Sequence, residues 1–259
     1  MIRVTFPGKS NFLAPLLAIR ELHDDIRLRI SPNNIQATVL DSTHVSVTFV
    51  NWVCTTEGSL PAGGLDISIK ISSLIKAIGL GSSTDDRLTW VIDSTDKMLI
   101  EMGGGDVTME LKLFDFDSET MEQPDLTPGA TFDIPGSLLA VSVRDLSTIG
   151  DTVSIKASVD PQTKEASLTM VTEGDIGRAS IAHNEADFRL LQYATDTFPE
   201  ESQSFGLRYL VTILKAATKP QQSVNISLTK DTPLLIGISN ESMCLSYYLA
   251  PKFSGLSSM

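Results

Sequence analysis

Apolar residues recur along this chain with two different periods, and the periods predict which segments are helices and which are strands. Spacing of three or four residues predicts helices over residues 10–23, 72–80, 136–149 and 204–218. Short alternating runs between them predict strands. In the first half these runs are residues 26–30, 35–40, 45–50, 65–69, 88–92, 98–102 and 107–114. In the second half they are residues 152–158, 165–172, 177–181, a stretch ending near 193, and then 224–229, 234–239 and 242–249.

Capping and breaking residues refine the expected ends of the helices. Ser10 is a candidate N-cap for the first helix, but Pro15 would strain that helix unless it begins near residue 14. The second helix is expected to end at Gly81. Residues 31–34 (SPNN) predict a hairpin turn, and the glycines at 103–105 predict another.

Two short motifs each occur twice, in the same order in both halves. Residues 16–22 (LLAIREL) resemble 138–146 (LLAVSVRDL), and residues 74–78 (LIKAI) resemble 213–217 (ILKAA). A unit of about half the chain, used twice, would leave this pattern. The four copies carry matching cations, namely Arg20, Lys76, Arg144 and Lys215. In an acidic protein, matched cations on matched helices favour a surface that receives a polyanion.

The amino-acid composition changes over residues 115–135, where acidic residues mix with proline and glycine. This composition predicts an extended linker. The sequence therefore predicts an N-terminal domain over residues 1–114, a connecting loop over 115–134 and a similar C-terminal domain over 135–259. Many strands with only four helices predict an α+β fold, in which antiparallel sheets lie outside and the helices line a concave inner face.

Composition is that of a soluble globular protein, with 42% hydrophobic and 20% charged residues. The net charge of −12 argues against attachment to nucleic acid or anionic lipid by bulk attraction. No apolar run approaches membrane-spanning length, and the start of the chain does not resemble a signal peptide, so a soluble intracellular protein is expected. Cys54 and Cys244 are expected to be buried thiols.

Signals for catalysis are weak throughout the sequence. His23, His44 and His183 stand apart from other metal ligands, and neither a phosphate-binding loop nor a nucleophile elbow is present. Asp115 and Asp117 could act as paired carboxylates of an acidic, metal-dependent nuclease, but a solvated linker is the better interpretation. No catalytic residue, metal or cofactor is predicted, and the nuclease stays open as a remote alternative.

Four blocks of sequence carry a resemblance to a known family. They are residues 41–46 (DSTHVS), 144–151 (RDLSTIGD), 205–210 (FGLRYL) and 247–252 (YYLAPK). Together with the internal duplication they resemble, over essentially the whole chain, the proliferating cell nuclear antigen family, the sliding clamps of DNA replication. The resemblance implies a non-enzymatic two-domain chain that closes head-to-tail into a three-subunit ring around duplex DNA and acts as a DNA polymerase processivity factor.

The resemblance also assigns residues to three surfaces. Those expected to face DNA are Arg20, Lys76, Arg144, Arg208 and Lys215. Those expected to form a pocket for the short hydrophobic–aromatic motif of partner proteins are Leu40, His44, Val45, Val47, Met121, Pro233, Tyr248, Ala250 and Pro251. The subunit contact is expected between strands at about 108–114 and 175–181, through Leu80, Thr108, Met109, Glu110, Leu111, Val143, Gly177, Arg178, Ala179 and Ile181.

The implied partners are double-stranded DNA without sequence preference, two further copies of the chain, DNA polymerase, the clamp loader, flap endonuclease and DNA ligase, but no membrane. The expected location is the nucleus for a eukaryotic chain, the cytoplasm for an archaeal one, and the replication site for a viral one. The sequence departs from the family pattern at two places. Leu13 and Ala14 stand where the family usually has adjacent basic residues on the first helix, and residues 121–123 (MEQ) stand where it has a more apolar trio. The first departure leaves open a subunit of a heterotrimeric or checkpoint-type ring.

Overall fold

The computed structural model describes residues 1–80, 86–115, 121–160, 162–163, 165–217 and 222–252. These residues form four α-helices and mainly antiparallel sheets, which confirms the predicted α+β class. The chain divides into two compact units: Met1–Gln123 with Ser239–Leu245, and Pro124–Ile238 with Ser246–Met259. The first break falls inside the predicted connecting loop.

The described residues of the first half form nine strands and two helices. They are β1 (Ile2–Phe6), α1 (Lys9–Ile19), β2 (Asp25–Ile30), β3 (Asn34–Leu40), β4 (Ser46–Val53), β5 (Thr55–Glu57), β6 (Leu65–Lys70), α2 (Ile71–Ile78), β7 (Leu88–Ile92), β8 (Lys97–Met102) and β9 (Val107–Lys112).

The second half repeats this order element for element. It contains β10 (Ala130–Pro135), α3 (Gly136–Ser147), β11 (Thr152–Val159), β12 (Ala166–Gly174), β13 (Gly177–Asn184), β14 (Arg189–Tyr193), β15 (Gln203–Gly206), α4 (Leu207–Leu214), β16 (Ser223–Leu228), β17 (Leu234–Asn240) and β18 (Met243–Leu249). The duplication inferred from the two short motifs therefore extends to the whole order of elements.

Strand pairing repeats as well. In the first half the strand orders are β5-β1-β7-β8-β9 and β4-β3-β2-β6, and in the second half they are β14-β10-β16-β17-β18 and β13-β12-β11-β15. Each strand therefore has an equivalent nine positions later in the strand numbering, so that β13 corresponds to β4 and β18 corresponds to β9. The end of β17 and the start of β18, Ser239–Leu245, group with the first unit.

The cores form where the inner faces of these sheets meet the helices. In the first unit Phe12 of α1 packs against Phe6, Trp52 and Trp90, with ring centroids 4.6–5.1 Å apart. All four rings are buried, and aromatic contacts of this kind add to the free energy gained by apolar burial. In the second unit Phe132 packs edge-on against Phe188 at 5.0 Å. Each helix buries one side and leaves the other side accessible.

The start of the first helix differs from the prediction. Helix α1 begins at Lys9 and runs through Pro15, and no side chain caps it. Ser10 lies inside the helix, where its hydroxyl donates to Asp86 Oδ2 at 3.1 Å, while the Lys9 N–H donates to the Asp86 carbonyl at 2.9 Å. The cost of an internal proline is outweighed because this first turn is tied to Asp86 and Phe12 is anchored in the core.

The other helices also lack a side-chain cap, and backbone carbonyls of neighbouring segments accept hydrogen bonds from their first N–H groups. The N–H groups of Ile71, Gly136 and Leu207 donate to the carbonyls of Asp24, Gln222 and Asp151 at 2.7–2.9 Å. Asp24 also accepts from the Ser72 N–H and hydroxyl. These contacts satisfy N–H groups that a helix cannot satisfy internally. They are also equivalent in the two halves.

Several predicted bounds are corrected by the structure. Helix α2 ends at Ile78 with Gly79 as its C-cap, and Gly81 lies outside the described residues. The predicted helix over 204–218 is strand β15 followed by α4 and a short 3-10 turn at Lys215–Ala217, because Phe205 and Gly206 pair with β11. The predicted linker stops before Ala130, since β10 lies between β14 and β16. Strands β1 and β5 were not predicted.

Two smaller expectations concern cysteine and the membrane. Cys54 is buried, but Cys244 is exposed because it lies on the outward-facing side of β18, so the expectation of two buried thiols is wrong for Cys244. Within the described part of the chain, no helix is both long enough and apolar enough to cross a bilayer.

Candidate functional site

The five cations assigned to the DNA-facing surface all lie on or directly after helices, and all are exposed. Arg20 is the C-cap residue of α1, Lys76 lies in the last turn of α2, and Arg144 lies in the last turn of α3. Arg208 opens α4, and Lys215 follows it in the 3-10 turn. Helix α1 contacts α2 in the first unit, and α3 contacts α4 in the second. Each unit therefore presents its cations on one helix pair.

Apolar residues share the accessible side of these helices with the cations. Leu17 on α1 and Val141 on α3 are exposed, while Leu13 and Ala14 are half-buried. Because residues three or four apart share a helix face, positions 9, 13, 17 and 20 form one stripe, with the cations Lys9 and Arg20 at its ends and Leu13 and Leu17 between them. The departure at Leu13 and Ala14 therefore leaves the middle of this stripe uncharged.

Arg144 and Arg208 each interact with a neighbouring side chain. Arg144 Nε lies 3.7 Å from Asp145 Oδ1, and both side chains are more than half exposed, so the pair contributes little to stability. The Arg208 guanidinium stacks 4.5 Å from the centre of the Tyr209 ring and donates to its hydroxyl. Such stacking orients the Arg208 side chain.

The loop between β3 and β4 is organised by one buried carboxylate. Asp41 is 4% exposed, and its two oxygens accept hydrogen bonds from the Thr43 N–H, the Thr43 hydroxyl, the Val45 N–H and the Ser46 N–H. The Asp41 carbonyl also accepts from the His44 N–H at 2.9 Å. His44 has a φ of 57°, in the left-handed region that non-glycine residues rarely adopt. The Asp41 network therefore holds the loop in a conformation that its backbone alone would not favour.

The pKa of Asp41 reflects the same geometry. Burial of the carboxylate raises its pKa, but the hydrogen bonds from the Thr43 hydroxyl and from the amides of Ser46, Thr43 and Val45 together outweigh burial. The pKa of Asp41 is therefore lower than its ordinary value of 3.8. Asp41 is ionised at neutral pH, and its charge strengthens each of these hydrogen bonds.

The residues assigned to the partner pocket are distributed over both units. In the first unit, Leu40 and Val45 are half-buried beside the ordered loop, His44 is exposed, Val47 is buried and Met121 is exposed. In the second unit Tyr248 is buried, with its hydroxyl 3.3 Å from the Pro124 carbonyl that accepts its hydrogen bond. Pro233, Ala250 and Pro251 of this unit are half-buried.

Strand β9 carries four of the residues assigned to the subunit contact and lies at the end of its sheet. Thr108 and Glu110 are exposed on one face, while Met109 is half-buried and Leu111 buried on the other. Glu110 accepts from Lys97 Nζ at 2.9 Å. The predicted strand over 107–114 ends at Lys112, since the Phe114 N–H donates to the Ser68 carbonyl. Leu80, assigned to the same contact, is 46% exposed.

Strand β13 lies at the end of a sheet in the second unit. Gly177 and Arg178 are exposed, and Ala179 and Ile181 are half-buried. Val143 of α3 is buried within its own unit, so it can support the strand but cannot touch a partner directly. The equivalent strand of the first unit, β4, is covered at one end, where the Val53 N–H donates to the Ser242 carbonyl at 2.9 Å.

Sequence reasoning missed two polar networks. The Asp41 carboxylate was part of a recognised block, but its role was not predicted, although an aspartate followed by serine and threonine is typical of such a turn. The second network joins Ser142, His183 and Asp187, and its buried members lie 41 residues apart. Nothing local in the sequence pairs Ser142 with His183.

Comparisons with known proteins agree with this geometry. A sequence model described as "Proliferating cell nuclear antigen, C-terminal domain" matches residues 123–253. The chain is 30% identical over 202 residues to the proliferating cell nuclear antigen of Saccharomyces cerevisiae, covering 73% of each protein. It is 26% identical to that of Chaetomium thermophilum, covering 91% of this chain and 92% of the relative. It is 28% identical to proliferating cell nuclear antigen 2 of Drosophila melanogaster, covering 91% of each.

Residues 123–253, which the family model matches, include helices α3 and α4, strand β13 and residues 247–252. The matches to the Chaetomium and Drosophila relatives cover 91% of this chain and so extend over the first unit as well. The repeated order of strands and helices fits the two-domain fold of this family. The chain therefore belongs to the proliferating cell nuclear antigen family of DNA sliding clamps, which act as processivity factors in DNA replication.

Proposed function

We propose that three copies of this chain close head-to-tail into a ring, with β9 of one copy paired to β13 of the next. The observation that carries the proposal is the equivalence of the two halves. The start of β18 lies beside β4 within the first unit. Because β9 corresponds to β18 and β13 corresponds to β4, pairing β9 with β13 would repeat this contact between copies. A contact between two different surfaces closes into a ring when its rotation allows.

The side chains of the two strands support the same pairing. Met109 on β9 and Ala179 and Ile181 on β13 are half-buried on the core-facing sides of their sheets, so pairing would complete their burial. A strand edge left without a partner also favours uncontrolled aggregation, which ring closure would prevent.

The helix cations Arg20, Lys76, Arg144, Arg208 and Lys215 are the proposed DNA-facing set. Their contacts go to phosphates and so carry no sequence information. With five cations per chain, and Asp145 next to Arg144, the affinity for DNA is expected to be weak enough to allow sliding. Retention on DNA then depends on encirclement. Screening over about 8 Å at physiological salt lets these cations act locally despite the net charge of −12 per chain.

Replacing Lys76 tests this assignment. We expect Lys76→Ala to reduce the slope of log affinity against log salt by up to about 0.9 for each phosphate that the lysine no longer neutralises, because fewer counterions are released. The measurement is fluorescence anisotropy of a short linear duplex over a series of salt concentrations.

The matched control is Lys156→Ala, which removes an exposed lysine from strand β11 instead of from a helix. This variant should keep the wild-type slope. Equal effects of the two variants would show that the helices have no special role in contacting DNA.

The second proposed activity is docking of replication and repair proteins. The loop ordered by Asp41, with Leu40, His44, Val45 and Val47, would receive the short hydrophobic–aromatic motif of a partner together with Met121, Pro233, Tyr248, Ala250 and Pro251. Buried aromatic anchors dominate the affinity of such peptides. The proposed partners are DNA polymerase, the clamp loader, flap endonuclease and DNA ligase.

Members of this family are non-enzymatic scaffolds, and we propose that this chain is one as well. Asp115, which was considered for an acidic nuclease, is exposed, and Asp117 lies outside the described residues. The relatives come from three eukaryotes, and this supports the nucleus as the proposed location.

Sedimentation velocity of the purified chain tests the ring. The proposal predicts one species with three times the chain mass of 28.0 kDa. A monomer at all concentrations would contradict the homotrimer. It would favour a heteromeric ring, for which the uncharged middle of the α1 stripe, at Leu13 and Leu17, is a supporting observation.

A further inference from the structure

Three polar side chains in the second unit are arranged in the order of a nucleophilic triad. Ser142 Oγ of α3 lies 3.1 Å from His183 Nε2 of β13. His183 Nδ1 lies 3.5 Å from Asp187 Oδ2 in the turn after β13. The Asp187 carboxylate also accepts from the Asn184 N–H at 3.2 Å, and the Asp187 N–H donates to the Asn184 carbonyl at 2.8 Å. The imidazole therefore has a polar neighbour at each nitrogen.

Burial rules out a catalytic role for this group. Ser142 is 4% exposed and His183 is 3% exposed, so the carbonyl group of a substrate cannot reach the hydroxyl. A buried imidazole loses stabilising contacts with water at both nitrogens unless protein groups replace them. Ser142 and Asp187 supply both replacements, and this makes the group a structural contact between a helix and a strand.

The position of His183 gives that contact a specific consequence. In β13, every residue of which the structure describes, His183 alone is buried. The other seven residues are exposed or half-buried, since β13 lies at the end of its sheet. Besides backbone pairing with β12, the buried hydrogen bond of His183 to Ser142 of α3 therefore ties this strand to the body of the unit.

We infer that His183 is a positioning residue for ring closure, which holds the open strand β13 against α3 through Ser142 and against its own turn through Asp187. The inference rests on the proposed pairing of β13 with β9. Ile181, one of the residues assigned to the subunit contact, lies two residues before His183 on the same side of the strand and is half-buried. The group therefore fixes the strand directly behind the apolar side chains that the partner strand would cover.

The geometry also favours one position for the proton of the neutral imidazole. The Asp187 carboxylate oxygen that lies 3.5 Å from Nδ1 can only accept, so this contact favours the Nδ1–H tautomer, in which Nε2 accepts from the Ser142 hydroxyl at 3.1 Å.

The first test measures amide hydrogen exchange over 177–184 and sedimentation equilibrium for the wild type and for Ser142→Ala. We expect exchange in β13 to become about tenfold faster, as when one buried hydrogen bond is removed, and the subunit contact to weaken by a similar factor. The matched control is Ser227→Ala, which removes another buried hydroxyl pair of the second unit, Thr131 Oγ1 to Ser227 Oγ at 2.9 Å, away from β13. In the control both quantities should stay within about twofold of wild type.

The second measurement uses the unmodified protein and so does not depend on a variant that folds. Nitrogen-15 NMR of the neutral imidazole should show the Nδ1–H tautomer as the major one. A majority of the Nε2–H tautomer overturns the inference.

The outcomes separate this inference from the proposed ring. Unchanged exchange in β13 for Ser142→Ala overturns the positioning role, whether or not the wild type forms a trimer. Faster exchange with an unchanged trimer overturns the link to ring closure. A wild type that stays monomeric overturns the ring, while exchange and NMR still decide whether His183 holds the strand.

Discussion

Ser180→Pro is expected to convert the ring into folded monomers. Strands β12 and β13 are joined by a two-residue turn, Asp175 and Ile176, with Gly174 paired to Gly177. Gly174 and Gly177 form a hydrogen-bonded pair, and hydrogen-bonded and non-hydrogen-bonded pairs alternate along the strands from there. Ser180 therefore falls in a non-hydrogen-bonded pair with Val171, and its N–H points away from β12 to the open edge of the sheet. Proline at 180 therefore removes a group that only a partner strand would use. Edge strands tolerate proline in this orientation.

The expected effect is large because the contact occurs three times in the ring. Removal of one hydrogen bond and the added bulk cost about 1–3 kcal/mol at each contact, or about 3–9 kcal/mol for the ring. Sedimentation velocity measures the loss of the trimer, and circular dichroism checks that the fold is kept. The control, Ser180→Ala, keeps the N–H and should assemble as wild type does. A trimeric Ser180→Pro variant would exclude β13 from the subunit contact.

Asp41→Ala is expected to abolish most partner docking without breaking the ring. The change leaves the amides of Thr43, Val45 and Ser46 without their acceptor, and it removes the contacts that keep His44 at a φ of 57°. We expect the free energy of unfolding to fall by about 2–4 kcal/mol. We also expect affinity for a peptide with the hydrophobic–aromatic motif to fall by about 10- to 100-fold, because the loop must be ordered on binding.

The pH dependence of stability tests the same network. The pKa of Asp41 is lowered in the folded state, so its stabilising effect is fully present above the ordinary value of 3.8 and is lost as pH falls through the lower folded value. The difference in unfolding free energy between wild type and Asp41→Ala should therefore be constant above about pH 5 and shrink below about pH 4.

The control for both measurements is Ser42→Ala, a change at an exposed residue in the same loop. It should bind the peptide as wild type does. Peptide binding that is normal in Asp41→Ala would show that the ordered loop is not part of the docking surface.

The sequence predicted the repeated unit and most elements because those features depend on local periodicity. The predictions were wrong where contacts between distant residues determine where a helix or strand begins. Helix α1 begins at Lys9 because Asp86, far along the chain, accepts from its first N–H. Strand β10 was predicted as linker because acidic residues mix with proline and glycine up to residue 135, yet it lies between β14 and β16. Strand β1 was missed although Ile2, Val4 and Phe6 alternate.

The candidate sites show the same difference between features set by local sequence and features set by distant contacts. Arg20, Lys76, Arg144, Arg208 and Lys215 were predicted by helical spacing and family blocks, and the structure places all of them at exposed positions. The Asp41 network is local and could be recognised from turn chemistry. The contact of Ser142 with His183 depends on how α3 packs against β13, and only the folded chain brings these two residues together.

The most direct test of the central claim is the lifetime of the clamp on DNA of different topology. The protein is loaded onto nicked circular duplex by a clamp loader with ATP, and half of the sample is then linearised at a single site. The account predicts that the clamp stays on the circle and slides off the free ends of the linear DNA. Equal retention on both would contradict encirclement.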